Sequence, residues 1–220
     1  QEAYGMTENL GAHTFSRPTH RQLGTVGQPY PGVETRIDPD TGEVQMRCSW
    51  MTTGYYREPA LTAALFRDGW LCTGDMGELT PDGYLKITGR VKDMFKTSKG
   101  EYVVPAPIEF GFATNTYVEQ VCVAGASLPQ PIALVVLSDM GRQADRAAVA
   151  ESLAQTVQAV NPGLKHYEHL RKVVVVNDAW TVDNNLLTPT MKIKRNVVET
   201  RYQPSMERWY GREEVVVWEE

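Results

Sequence analysis

Little in this sequence points to a disulfide framework, a zinc centre or a membrane anchor. Cysteine occurs three times, at Cys48, Cys72 and Cys122, with no CxxC pair, which excludes the usual zinc-binding patterns. An odd, sparse count fits a reducing compartment better than a stapled fold, so a cytoplasmic setting is expected. No apolar run approaches the roughly 18 residues of a membrane-spanning helix. The longest, Ile132 to Leu137 and Val173 to Val176, have the length of strands. There is no internal repeat and no low-complexity tract. The chain also lacks a basic excess: 22 Lys and Arg face 27 Asp and Glu, a net charge of −5, which argues against a dedicated nucleic-acid binder. The four histidines, His13, His20, His166 and His169, form no metal-ligand spacing. What is present is ordinary globular composition, 42% hydrophobic and 22% charged over 220 residues. That is enough for one large or two small cores.

The grammar changes along the chain. Up to about Arg90 it is rich in turn signals. Val33 to Ile37 and Val44 to Cys48 alternate about Asp38-Pro39-Asp40-Thr41-Gly42, which predicts a hairpin. Pro59 to Phe66 predicts a short helix with proline in its first turn. Met76 to Leu79 and Tyr84 to Thr88 flank Pro81-Asp82-Gly83 as a second hairpin. Beyond Arg90, Met94 to Lys96 and Tyr102 to Val104 flank a turn at Ser98-Lys99-Gly100, and Pro105 to Asn115 should be a helix. Val118 to Ala126, Ile132 to Ser138 and Arg171 to Val176 read as strands. Arg142 to Val160 has apolar residues at helical spacing and predicts one long helix. Thr181 to Pro189 reads as loop and Ile193 to Tyr202 as helix. A polar tail follows, with one more apolar run at Val215 to Trp218. The fold class expected is α/β (α+β), with a β-rich first part and a small mixed domain from about residue 93.

Four polar segments sit among glycines and aromatics: Tyr4-Gly5-Met6-Thr7-Glu8, Gly69-Trp70-Leu71-Cys72-Thr73-Gly74-Asp75, Gly89-Arg90-Val91-Lys92-Asp93, and Leu187-Thr188-Pro189-Thr190-Met191-Lys192-Ile193-Lys194-Arg195. Singly each is a common turn. In this order they resemble the acyl-adenylate-forming (ANL) superfamily of acyl-CoA synthetases, peptide-synthetase adenylation domains and luciferases. The intervening residues continue the likeness, through Gly54-Tyr55-Tyr56, Asp82-Gly83-Tyr84, Lys99-Gly100-Glu101 and Pro107-Ile108-Glu109. Asn185 to Thr190, before the lysine, looks most like the long-chain fatty acyl-CoA synthetase branch. Peptide-synthetase and short-chain members usually have glycine where this chain has Met191.

The resemblance implies residues 1–92 as the β-rich end of a large AMP-binding domain and 93–220 as a small, mobile C-terminal α/β domain. It implies a nucleotide site of Tyr4, Gly5, Thr7, Asp75 and Arg90. Tyr4 would stack on adenine, and Thr7 would donate to the α-phosphate. Glu8 would bind Mg²⁺, a hard cation that favours carboxylate and phosphate oxygens; a surface salt bridge is its alternative. Asp75 offers two acceptor oxygens to two vicinal ribose hydroxyls, and Arg90 a planar fork of donors near ribose and phosphate. Lys192 would offset the repulsion between a carboxylate nucleophile and a triphosphate, with Lys194 and Arg195 as nearby rivals. Thr7, Glu8 and Lys192 are thus the catalytic candidates. Lys92 matches the hinge position, and Gly100 the turn that faces the pantetheine arm of coenzyme A. An ordinary hairpin glycine explains Gly100 equally well. Trp70 is expected to be structural.

The Ser/Thr/Gly-rich phosphate loop that such enzymes carry upstream is not among these residues. The chain is therefore expected to be the C-terminal third of a larger synthetase, to depend on upstream large-domain residues, and to be inactive alone. The expected reaction converts fatty acid, ATP and coenzyme A to acyl-CoA, AMP and pyrophosphate. A carrier-protein thiol as acceptor, or a non-catalytic nucleotide-binding or interaction module, are the alternatives. Peripheral membrane contact and a homo-oligomer are open. Strands 33–48 and 84–88 would lack partners in such a piece, which favours association through unpaired edges.

Overall fold

Short strands punctuated by Gly, Pro and Asp turns dominate the first part of the chain, as the turn signals require. A computed structural model describes residues 1–220, which divide into two compact units, Gln1–Lys92 and Asp93–Glu220. In the first, β1 (Ala3–Tyr4), β2 (Thr14–Phe15) and β3 (Gln28–Pro29) form a small antiparallel sheet. A second antiparallel sheet holds β4 (Glu34–Ile37), β5 (Glu43–Arg47), β6 (Phe66–Arg67), β7 (Trp70–Leu79) and β8 (Leu85–Arg90). The short helix α1 (Pro59–Leu65) precedes β6. Met46, Cys48, Leu65 and Leu71 make the core beneath.

The ladder between β5 and β7 is broken at one place. Gln45 pairs with Cys72 and Glu43 with Met76, so Thr73, Gly74 and Asp75 bulge out opposite Val44 alone. A bulge bends its strand and re-aims a side chain.

The expectation of partnerless strands is corrected here. β5 is paired on both sides, by β4 and β7. β8 pairs with β7, and its other edge exchanges backbone bonds with Val26 and Gly27. Local hairpins satisfy most of the edges that were expected to be open.

The second unit opens with the hairpin β9 (Phe95–Lys96) and β10 (Tyr102–Val103), then α2 (Pro105–Phe110). Its main sheet takes the order β11 (Val118–Ala124), β12 (Ile132–Leu137), β13 (Lys172–Val175), β14 (Val216–Trp218). The first pair is antiparallel and the other two are parallel. Every residue of β12 and β13 is buried, because helices cover both faces. Helix α3 (Asp139–Gln143) and helix α4 (Arg146–Val160) follow β12. Val149, Leu153 and Val157 of α4 pack on Val123, Ala133, Val135 and Val173. Helix α5 (Arg195–Tyr210) lays Val198, Tyr202, Met206 and Trp209 on Leu134, Val136, Val174 and Val217, across the opposite face.

Four elements differ from the sequence expectation. The long helix is interrupted at Ala144-Asp145, because Asp145 caps α4 by accepting from the Ala147 N–H (2.9 Å). The helix at 105 stops at Phe110, and α5 runs past Pro204 to Tyr210. The tail residues Val216–Trp218 form a parallel strand, which local pattern alone cannot assign to a sheet.

Candidate functional site

Tyr4 and Asp75 lie far apart in sequence and meet in the first unit. The Tyr4 hydroxyl donates to Asp75 Oδ2 (2.7 Å), and Arg90 Nε donates to Asp75 Oδ1 (2.6 Å). Asp75 and Arg90 are also directly opposed in the β7–β8 ladder, the register at which cross-strand pairs interact. One carboxylate thus receives a phenol and a guanidinium, and its remaining lone pairs leave acceptor capacity for further donors. Its side chain is 16% exposed. Burial, followed by the bond to Asp75, raises the Tyr4 phenol well above its ordinary pKa, so the phenol stays protonated and donating. Behind Tyr4 lies the fully buried His13, its ring 5.3 Å from the tyrosine ring. His13 Nε2 is 2.9 Å from Thr35 Oγ1, whereas its Nδ1 is buried without a partner. Burial lowers the imidazole pKa to about 4.

Gly5 lies where no side chain fits: a Cβ would come within 2.2 Å of the Gly11 carbonyl oxygen. The loop closes on itself through the Gly11 N–H to Met6 O bond (2.8 Å). Thr7 and Glu8 occupy a 3-10 turn, Thr7–Asn9. The buried Asn9 pins that turn by accepting from the Met6 N–H (3.0 Å). The exposed Thr7 hydroxyl makes no bond within the protein. Glu8 Oε1 accepts from the Tyr55 hydroxyl (2.6 Å), so Glu8 is held by a phenol rather than by a cation. No group of three His, Cys, Asp or Glu side chains gathers anywhere in the chain. Glu8 therefore fits a divalent cation only as one carboxylate ligand, the rest of the shell coming from phosphate and water.

Lys92 is exposed within a 3-10 turn, Val91–Asp93, at the boundary of the two units. Gly100 and Lys192 share a local architecture. Thr97 N–H bonds Glu101 O (2.8 Å), and Gly100 N–H bonds Thr97 O (3.0 Å). The Thr97 hydroxyl accepts from Glu101 N–H (3.2 Å). The same three bonds recur at Thr188: its N–H to Lys192 O (2.8 Å), Met191 N–H to Thr188 O (2.8 Å), and Lys192 N–H to the Thr188 hydroxyl (3.1 Å). Each is a three-residue hairpin loop whose last position is left-handed: Gly100 at φ +86° and Met191 at φ +62°. Glycine takes that conformation without cost, and methionine does not.

The three basic residues near the end of this loop separate clearly. Arg195 is committed to Glu109 (2.6 Å) and the Val123 carbonyl (2.7 Å). Lys194 Nζ donates to Asn185 Oδ1 (2.5 Å). Lys192 is exposed, and its ammonium makes no bond or salt bridge within the protein. Trp70 carries the guanidinium groups of Arg36 and Arg47 over its ring, at 4.4 and 4.8 Å, a structural role. Sequence reasoning assigned no role to Glu43, Thr73 or His13, which support these residues from behind; Thr73 lies within the segment ending at Asp75, and no motif marks the other two.

The chain is similar to a long-chain-fatty-acid–CoA ligase of Mycobacterium bovis, 32% identical over 96% of this chain and 38% of that protein. It is similar to long-chain-fatty-acid–CoA ligase 1 of Cavia porcellus, 32% identical over 96% of this chain and 34% of that protein. Among solved structures, O-succinylbenzoate coenzyme A synthetase from Bacillus subtilis, in complex with ATP and magnesium ion, superimposes with a TM-score of 0.70. It is 26% identical, over 89% of this chain and 40% of that one. The chain thus spans little more than a third of the curated relatives it matches. The family model for the AMP-binding enzyme C-terminal domain matches residues 92–214, more than half of the chain. By that match, and by the order of segments that surround Asp75 and Lys192, the chain belongs to the AMP-binding enzymes and carries their C-terminal domain.

Proposed function

We propose that this chain is the C-terminal portion of an AMP-forming acyl-CoA synthetase acting on fatty acids. The whole reaction consumes fatty acid, ATP and coenzyme A and releases acyl-CoA, AMP and pyrophosphate. Residues 1–92 close the nucleotide site of a large domain, and 93–220 form the small mobile domain with Lys92 as hinge. The observation that carries the reading is the Asp75 carboxylate, fixed by Tyr4 and Arg90 with acceptor capacity to spare.

In this reading Asp75 accepts both ribose hydroxyls, and Arg90 holds its orientation beside the sugar and phosphate. Tyr4 offers a ring to adenine, while its hydroxyl keeps Asp75 in place. The unengaged Thr7 hydroxyl donates to the α-phosphate. Glu8 would hold Mg²⁺, which when bound offsets charge on the phosphates. The unpaired Lys192 ammonium offsets the charge that builds as the fatty-acid carboxylate attacks the α-phosphorus and pyrophosphate leaves. In the second half-reaction the coenzyme A thiol displaces AMP. The exposed Gly100 turn, where a Cβ would meet only the end of Lys96 at 3.7 Å, leaves room for the pantetheine arm.

Lys192→Ala in the full-length protein tests the assignment. Adenylate formation should fall at least about a hundredfold, as when an electrostatic stabiliser is removed. Thioester formation from preformed acyl-AMP should remain within a few-fold. Equal loss of both half-reactions would remove Lys192 from its role. Supplying a carrier-protein thiol in place of coenzyme A separates the two acceptors.

A further inference from the structure

We propose that Glu43 is a positioning residue: its buried carboxylate, bonded to the Gly74 N–H, fixes the β7 bulge that aims Asp75 at the ribose diol. The inference rests on the nucleotide-site reading above and adds a residue which that reading does not contain.

The bulge poses a hydrogen-bond problem. On the β5 side Thr73, Gly74 and Asp75 face Val44 alone, so the β5–β7 ladder does not satisfy the N–H groups of Gly74 and Asp75. Side chains satisfy them instead. Glu43 Oε1 accepts from Gly74 N–H (2.8 Å). The Thr73 hydroxyl donates to Val44 O (2.7 Å) and accepts from Asp75 N–H (3.2 Å). Glu43 is 6% exposed and forms no salt bridge. A buried carboxylate is costly unless it is hydrogen-bonded, and a bond from a backbone N–H to a carboxylate is a strong one. The Cys72 thiol and the Arg67 guanidinium lie close by, but the one backbone group bonded to this carboxylate is the Gly74 N–H, a bond that an apolar residue packed there could not make, and this points to that N–H as its purpose.

Gly74 explains why an anchor is needed. Its φ is +73°, and a Cβ there would meet nothing within 4 Å. The glycine is required by conformation and not by crowding, and a left-handed turn inside a strand has no ladder to hold it. The next residue is Asp75. The carboxylate of Glu43 thus holds the bulge from within the sheet, while Tyr4 and Arg90 hold Asp75 from the other end.

The test uses the full-length protein and two probes, AMP and 2′,3′-dideoxy-AMP, which lacks the diol that Asp75 would read. The wild type should prefer AMP by about tenfold or more, since the dideoxy analogue gives up the bonds that its diol would make to a charged group. Asp75→Ala should abolish that preference. Glu43→Met keeps the volume and removes both charge and acceptor; it should cut the preference to about twofold while leaving dideoxy-AMP affinity unchanged. Glu43→Gln, which keeps an acceptor at Gly74 N–H, should retain most of the preference. Thr73→Val tests the bulge without touching the buried carboxylate and should also lose preference, so the idea stays testable if Glu43→Met does not fold. Equal weakening of both nucleotides by Glu43→Met would mark a merely structural role and overturn the proposal, as would a wild-type ratio in both bulge variants. A wild-type ratio in Asp75→Ala would instead overturn the nucleotide-site reading itself.

Discussion

Three basic residues lie within four positions, and only their partners tell them apart. Arg195 and Lys194 are engaged by Glu109 and Asn185, which leaves Lys192 as the unpaired charge. Its predecessor, Met191, bears the conformational cost. A side chain in the left-handed region costs about 1–2 kcal/mol, and glycine returns about 0.5–1 kcal/mol of that in unfolded-state entropy. Met191→Gly should therefore stabilise the turn by about 0.5–1 kcal/mol, seen as roughly threefold slower hydrogen exchange at the Thr188 and Lys194 amides. His13 supplies a pH prediction. Its folded pKa of about 4 lies below the unfolded value of 6.5, so the unfolded chain binds the extra proton between those values. Stability is then intact above about pH 6.5 and is lost as pH falls towards 4, by up to ~3 kcal/mol. An imidazole resonance of His13 that stays neutral in NMR titration down to pH 5 is the expected signature; titration near 6.5 would contradict it.

Among elements, the connection into β14 is the one that local pattern does not explain. The steps from β12 to β13 and from β13 to β14 run the same way across the sheet, yet α4 and α5 lie on opposite faces. The two crossovers therefore have opposite hands, and one is left-handed against the general rule. Lys172 helps to secure the second. Its side chain is buried, and Nζ donates to the carbonyls of Arg212 (2.6 Å), Glu213 (3.3 Å) and Glu214 (2.6 Å), just before β14 begins. Lys172→Met would leave three carbonyls unsatisfied at a cost of about 2–3 kcal/mol. The amides of Val173 and Glu219, which bond Val215 O and Val175 O, should then exchange at least about thirtyfold faster than in the wild type.

For the whole molecule, the division at Lys92 and Asp93 gives the proposed reaction two separable parts. Asp75→Ala should weaken nucleotide affinity in both half-reactions, whereas Lys192→Ala should act on adenylation alone; an identical pattern for the two variants would deny the division of labour. Composition and turn residues were enough, by themselves, to determine the α/β class, the β-rich beginning and most strands, and the resemblance carried by the short motifs supplied the candidates Tyr4, Asp75, Arg90 and Lys192. These are properties of local chemistry and spacing, so sequence carries them. The tertiary structure alone decided that Tyr4 and Arg90 share one carboxylate, that Glu43 and Thr73 hold the bulge behind it, and that Lys192 is free while Lys194 and Arg195 are not. It also turned the apolar tail into the fourth strand of the sheet, parallel to β13. Each of these depends on which distant groups satisfy which hydrogen bonds, and that is fixed only when the strands take their register.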